Sequence, residues 1–212
     1  MPDPCPLKFE LIDREALFQG YFRVDRFRVR HERFEGGWSN VFAREIMDRG
    51  ARVVAVLLFD PQHDKIVMIE QFRAAAMAKD DNPWMLELVA GVVDPGEAPE
   101  ATARREAKEE AGCEVSELQK LFSYYTTPGI ASEQLTLYIG RTTAPEDGSV
   151  FGLPEENENI RVHVMDAAKA ISFLYAGKLR DASSIIAMQW FALQHTGLRS
   201  RWLVSEASTP II

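Results

Sequence analysis

Residues 91–113, GVVDPGEAPEATARREAKEEAGC, constrain this 212-residue chain more than any other stretch. Pro95-Gly96 is a turn pair that ends the apolar run from Leu86 to Val93. Pro99 suits a first helical position, where a missing N–H costs nothing. Residues 101–111 are good helix formers, and Gly112 can close a helix in the left-handed conformation. The local order is therefore strand, loop, helix. At about 100° per residue, Glu106, Glu109 and Glu110 share one arc of that helix, and Ala103, Ala107 and Ala111 share the adjacent one. The alanines can press closely onto a sheet, while Arg104 and Lys108 point to solvent. Three carboxylates at ~6 Å repel by roughly 3 kcal/mol per pair at an effective dielectric of about 20. A helix tolerates that in open water, or around a hard divalent cation such as Mg²⁺ or Mn²⁺, which also grips substrate phosphates. For an isolated REAKEE the solvated face is the better reading. With Gly91, Glu97, Arg105 and Gly112 in register, metal binding is favoured.

The stretch resembles the Nudix box, G-x5-E-x7-R-E-U-x-E-E-x-G-U, where U is apolar. That resemblance implies an α/β/α sandwich with a mixed sheet, and metal-driven hydrolysis of a nucleoside diphosphate linked to a further group. Glu97 and Arg105 look like the pair that braces the loop against the helix. Sixteen residues after Gly112 stands Pro128, in Thr127-Pro128-Gly129, followed by Ser132-Glu133. This is similar to the ADP-ribose diphosphatase branch of the family. So are Tyr21-Phe22, Arg44-Glu45 with Arg49, Glu70-Gln71-Phe72-Arg73, and the segment 152–164, GLPEENENIRVHV. The likeness runs from Leu17 to Trp190. Ile130-Ala131 and Cys113 are its mild departures.

The resemblance assigns roles residue by residue. Glu106, Glu110, Glu158 and the Ala90 carbonyl are the expected metal ligands for Mg²⁺, with Mn²⁺ as the substitute. Glu109 is expected beside them in the catalytic group, either as a further ligand or as a support for the ligands. Glu156 is the expected general base on a metal-acidified water. Tyr21 and Phe22 are expected to hold the adenine on an aromatic face, with plain sheet core as the alternative. Arg44, Arg49 and Arg73 are expected at diphosphate and ribose oxygens, where guanidinium forks fit. Glu45, Pro128 and Glu133 join them in the substrate pocket. The implied reaction is cleavage of ADP-ribose to AMP and ribose 5-phosphate. The alternatives are hydrolysis of another sugar nucleotide such as GDP-mannose, and a non-catalytic ADP-ribose sensor, which the intact box glutamates disfavour.

Net charge of −8 and a pI near 5.1 exclude a protein held to nucleic acid by its overall field. With two cysteines, Cys5 and Cys113, no signal-peptide pattern and no apolar run long enough to span a membrane, the expectation is a reduced, cytoplasmic protein. Cys113, at an apolar box position, is expected to be a buried small hydrophobe.

The proline-rich residues 1–7 are expected to lie loose. Strands are expected over 9–17, 20–31 and, after the Gly36-Gly37 turn, 38–45. Residues 1–48 then form a small antiparallel β domain, too small to stand alone, and residues 49–212 the hydrolase domain. In relatives the small sheet is exchanged between subunits, so a homodimer is expected. Strands are also expected over 53–59, 65–73, 84–93, 121–125, 134–139 and 160–165. Residues 141–159 read as a long loop carrying Glu155, Glu156 and Glu158, and loops of that length are usually functional. Asp166 is expected to cap a helix ending at Gly177, and Asp181 or Ser183 to open a closing helix.

Overall fold

The structure, a computed structural model, describes residues 7–207, apart from the side chains of Glu156 and of residues 205–207. Of the expected loose start, residues 1–7, all but Leu7 lie outside the described residues. The chain divides into two compact units, the smaller built from residues up to Ala51 together with Tyr125–Gln134.

In the smaller unit, β1 (Phe9–Gln19), β2 (Arg23–His31) and β3 (Phe42–Asp48) form an antiparallel sheet in chain order. Gly36 and Gly37 turn the chain with φ of +89° and +76°, a region that favours glycine. The returning strand starts at Phe42, not at Trp38 as the sequence suggests. Ser39 Oγ accepts the His31 N–H at 3.1 Å, so a side chain takes the place of a ladder partner, and Trp38 keeps one isolated bridge to Glu32. Asp25, buried in β2, accepts from Arg14 Nε at 2.9 Å and Arg23 Nε at 2.7 Å.

The larger unit is built on β4 (Val53–Asp60), buried along its whole length as its continuous apolar run requires. The sheet runs β10 (Val150–Phe151), β11 (Ile160–Asp166), β5 (Lys65–Phe72), β4, β9 (Gln134–Arg141), β8 (Glu117–Tyr125). The β4–β9 pair is parallel and the β4–β5 and β5–β11 pairs are antiparallel, so the sheet is mixed. One face carries α1 (Pro99–Ala111), whose Ala103, Ala107 and Ala111 are buried against Val54, Val56, Val67 and Ile69. The other face carries α2 (Ala167–Tyr175) and α3 (Ala182–Ala207), packed over Leu57, Phe59, Ile66 and Met68. The α/β/α sandwich is thus present, with the small antiparallel sheet preceding it.

Three local expectations change. The run 84–93 is two strands, β6 (Trp84–Glu87) on β5 and β7 (Val89–Val92) on β4. Leu88 is where the chain leaves one neighbour for the other. Its N–H is donated to buried Ser184 Oγ of α3 at 3.2 Å. The loop 141–159 holds β10 and a 3₁₀ turn over Pro154–Glu156. Asp166 precedes α2 without capping it through its side chain, because that carboxylate is engaged by Lys65 at 2.7 Å. At α3, Asp181 Oδ2 accepts the Ser184 N–H at 2.8 Å, an N-cap bond. Among the described residues no helix is long and apolar enough to cross a membrane.

Candidate active site

The box helix begins with Pro99 at its first turn and ends at Gly112, φ +64°, in the left-handed cap its sequence predicts. Of the glutamate arc, Glu110 is buried, Glu106 is nearly so and Glu109 is half-exposed. Glu110 Oε2 accepts the Ala90 N–H at 2.9 Å, pinning the helix to β7. Glu106 lies against Gly91 so closely that a Cβ there would stand 1.9 Å from Glu106 Oε1. The first residue of the box is therefore glycine for lack of space.

Arg105 ties the box together. It meets Glu97 through Nε at 3.3 Å and Nη2 at 3.2 Å, and its Nη1 donates to Glu106 at 2.8 Å and Glu109 at 2.9 Å. Thr102 Oγ1 donates to Glu97 at 2.7 Å. The Arg105 bond holds the Glu97 carboxyl below its usual range, and the same partnership raises the guanidinium further.

Glu158 arrives from the loop after β10. Phe151 packs where a Cβ on Gly112 would be, and the Gly152 N–H donates to the Glu109 carbonyl at 3.3 Å. The Leu153 N–H then donates to Glu158 Oε2 at 3.0 Å. Glu158 is close enough to Glu106 and Glu110 to raise both electrostatically. Burial is the larger cause, and together these effects push Glu106 up to about 7 and Glu110 up to about 8. Arg105 opposes the rise at Glu106; at Glu110 the Ala90 N–H and, more weakly, Arg73 do.

Among the described residues no three acidic or imidazole groups form a ready-made cation cage. Glu106, Glu110 and Glu158 are each turned to one protein donor, Arg105, Ala90 N–H and Leu153 N–H. The chemistry of the set nevertheless fits a hard divalent ion: oxygen donors only, crowded and partly desolvated, with charge left uncompensated. Glu156 closes the 3₁₀ turn with its backbone, and its side chain lies outside the described residues.

Arg73 stands just beyond β5 with Nε 2.8 Å from Glu87 Oε2. The sequence reading missed Glu87. Its signal was a single carboxylate inside the apolar run Leu86-Glu87-Leu88, since a charge in a strand core needs a partner.

The other expected substrate residues belong to the smaller unit. Tyr21 is 81% exposed and Phe22 39%, so neither is sheet core. Arg49 faces the Tyr21 ring at 5.9 Å from its centroid and approaches Glu133 at 3.6 Å. Arg44 lies 4.6 Å over the Phe42 ring and donates to the Ala43 carbonyl. Glu45 is 3.3 Å from Arg26, and Pro128 occupies an exposed turn.

A mixed α/β/α sandwich that presents a braced glutamate helix to a glycine-marked strand is the arrangement of the Nudix class of hydrolases. A NUDIX domain model matches residues 49–195, and the chain belongs to the Nudix family. It is 42% identical over 206 residues to the ADP-ribose pyrophosphatase of Escherichia coli strain K12, covering 95% of this chain and 98% of that protein. It is 34% identical over 193 residues to the GDP-mannose pyrophosphatase of Cronobacter sakazakii, covering 89% and 97%. A solved structure described as an ADP compounds hydrolase shares the fold, with a TM-score of 0.64 at 17% identity, over 88% of this chain and 96% of that one.

Proposed function

We propose that this Nudix hydrolase cleaves the diphosphate of ADP-ribose to AMP and ribose 5-phosphate. The observation that carries the reading is the 42% identity, across 95% of the chain, to an ADP-ribose pyrophosphatase, joined to an intact box. Glu106, Glu110, Glu158 and the Ala90 carbonyl are the groups that would hold Mg²⁺, or Mn²⁺ in its place. A divalent ion held there would polarise the diphosphate and acidify a water.

The protein's own residues supply the rest. Glu97 and Arg105 keep the loop and helix in one geometry, so the carboxylates need not reorganise during turnover. Arg73 offers donors to phosphate oxygens. Glu156 takes the proton from the attacking water. Tyr21 and Phe22 hold the adenine through their faces, and Arg44, Glu45, Arg49, Pro128 and Glu133 complete the pocket.

We further infer a homodimer and a reducing, cytoplasmic setting. Phe9, Leu11 and Ile12 of β1 are 82%, 53% and 47% exposed, and Phe34 in the turn after β2 is 93% exposed, apolar surface that a second copy would cover. Cys113 is a buried free thiol, its pKa pushed up to about 11 by burial, as expected of a small hydrophobe at an apolar box position; the low cysteine content is what supports the reducing setting. The expected division at residues 1–48 and 49–212 differs from the compact units, because the smaller one runs to Ala51 and takes in Tyr125–Gln134; the small sheet within it is the part we assign to dimerisation. Light scattering on active protein tests the dimer, and a fully active monomer removes it.

The reaction is tested by incubating the protein with Mg²⁺ and ADP-ribose, GDP-mannose, NADH or ADP-glucose, and following nucleotide release by chromatography. AMP from ADP-ribose is expected. GMP from GDP-mannose alone would move the protein to the second reading, which the Cronobacter relative favours. Glu156→Gln should lower turnover roughly 100-fold with binding nearly intact; near-normal turnover would remove Glu156 as the base.

A further inference from the structure

Glu87 is a carboxylate that the reaction as described does not use, and it is only 8% exposed. Its position in the sheet explains what it does. Glu87 stands opposite Ile69 in the β5–β6 register, whereas the Arg73 N–H bonds the Pro83 carbonyl beyond the far end of that pairing. To reach Glu87, the Arg73 side chain must run back along the sheet. Alternation from Ile69, which packs with Ala103 and Ala107 of the box helix, puts Glu87 and Arg73 on the face that carries α1.

The bond uses Nε of Arg73, the nitrogen along the edge of the guanidinium. Among the described residues Nη1 and Nη2 have no hydrogen-bond partner, and the side chain stays 43% exposed. The charge is near enough to lower Glu110 electrostatically. Burial raises the Glu87 carboxyl and the Arg73 charge pulls it back. A carboxylate in that setting is costly without its partner. The partner is thereby held in one orientation, with its fork unspent.

We propose that Glu87 is a positioning residue, holding Arg73 by Nε so that both Nη groups meet phosphate oxygens of a nucleoside diphosphate bound at the box. The inference rests on the diphosphate-hydrolase reading above. It adds a residue to which no role was assigned, and it predicts that Glu87 acts only through Arg73.

A double-mutant cycle on the full-length protein with Mg²⁺ tests it, using Glu87→Gln, Arg73→Ala and the pair. Glu87→Gln should lower kcat/KM for ADP-ribose roughly tenfold, mostly through KM, and should add nothing further in the Arg73→Ala background. Arg73→Lys should not restore the loss, because an ammonium cannot spend one nitrogen on Glu87 and present two others. Glu87→Met, which fills the space without a buried charge, guards against misfolding and should show the same non-additivity; thermal melts check that each variant is folded. Independent, multiplying losses, or an unchanged KM in folded Glu87→Gln and Glu87→Met, would overturn the proposal. If the wild type turns over GDP-mannose and not ADP-ribose, the substrate reading has failed, and the same cycle run on GDP-mannose still decides the role of Glu87.

Discussion

Arg105 and Glu97, eight residues apart in the chain, meet through two nitrogens and two oxygens at 3.2–3.3 Å, so the turn before α1 is closed onto the helix it precedes. Glu97→Gln should loosen that closure. We expect kcat/KM to fall roughly 10- to 100-fold, because small displacements of reacting groups are amplified in rate. The fold, anchored elsewhere by β4 and β5, should persist. Steady-state kinetics beside circular dichroism measure both, and wild-type kinetics in a folded variant would show the brace to be dispensable.

Gly91→Ala makes a sharper test of the site. The added Cβ meets Glu106 Oε1 at 1.9 Å and Cγ at 2.5 Å, so Glu106 must leave its place. The Mg²⁺ concentration for half-maximal activity should rise by roughly tenfold or more. An unchanged Mg²⁺ titration would mean that Glu106 is not a ligand, or that it reaches the ion from another rotamer.

Ser184→Ala removes the acceptor of the Leu88 N–H in a buried place. An unpaired buried donor costs about 1–3 kcal/mol, which should appear as a lower denaturant midpoint with an unchanged m value. No shift in midpoint would mean that the strand finds another partner for that N–H.

Asp60 controls part of the acid limb of stability. Burial works to raise its carboxyl, yet the Ala144 N–H and the side chain and backbone of His63 outweigh it and hold the group below its usual range. A depressed folded pKa contributes stability that is present above the unfolded value and lost as pH falls through the folded one. Asp60→Asn should therefore be less stable than wild type at neutral pH, and the two melting curves should converge as pH falls below about 4. A constant gap between them down to pH 2 would assign the loss to packing instead.

Much of this was legible in residue order because it is local. Pro99, the alanine arc and Gly112 specify α1 without help from distant chain, and residues 53–59 announce a buried strand by being apolar throughout. The break at Leu88 was not legible: an apolar run reports burial but carries no mark of which neighbour it is paired with. The strand Val150–Phe151 is two residues long and exists because β11 lies beside it. Asp166 has cap chemistry, and only the fold brings Lys65 near enough to claim it. In the site, box spacing located the glutamates, while the Arg73–Glu87 pair joins two strands whose register no local pattern states.

The crossing at Leu88 also bears on the order in which the protein can be finished during synthesis. The box helix is complete once residue 111 has been made, but the strand it faces pairs with β4, whose other flank waits for β9 and residues up to 141. The hinge between β6 and β7 gains its last bond only from residue 184. A ribosome-bound chain that already carries every box residue can pair β7 with β4 and with Glu110, yet it still lacks the bond from Leu88 to α3, which must wait for residue 184.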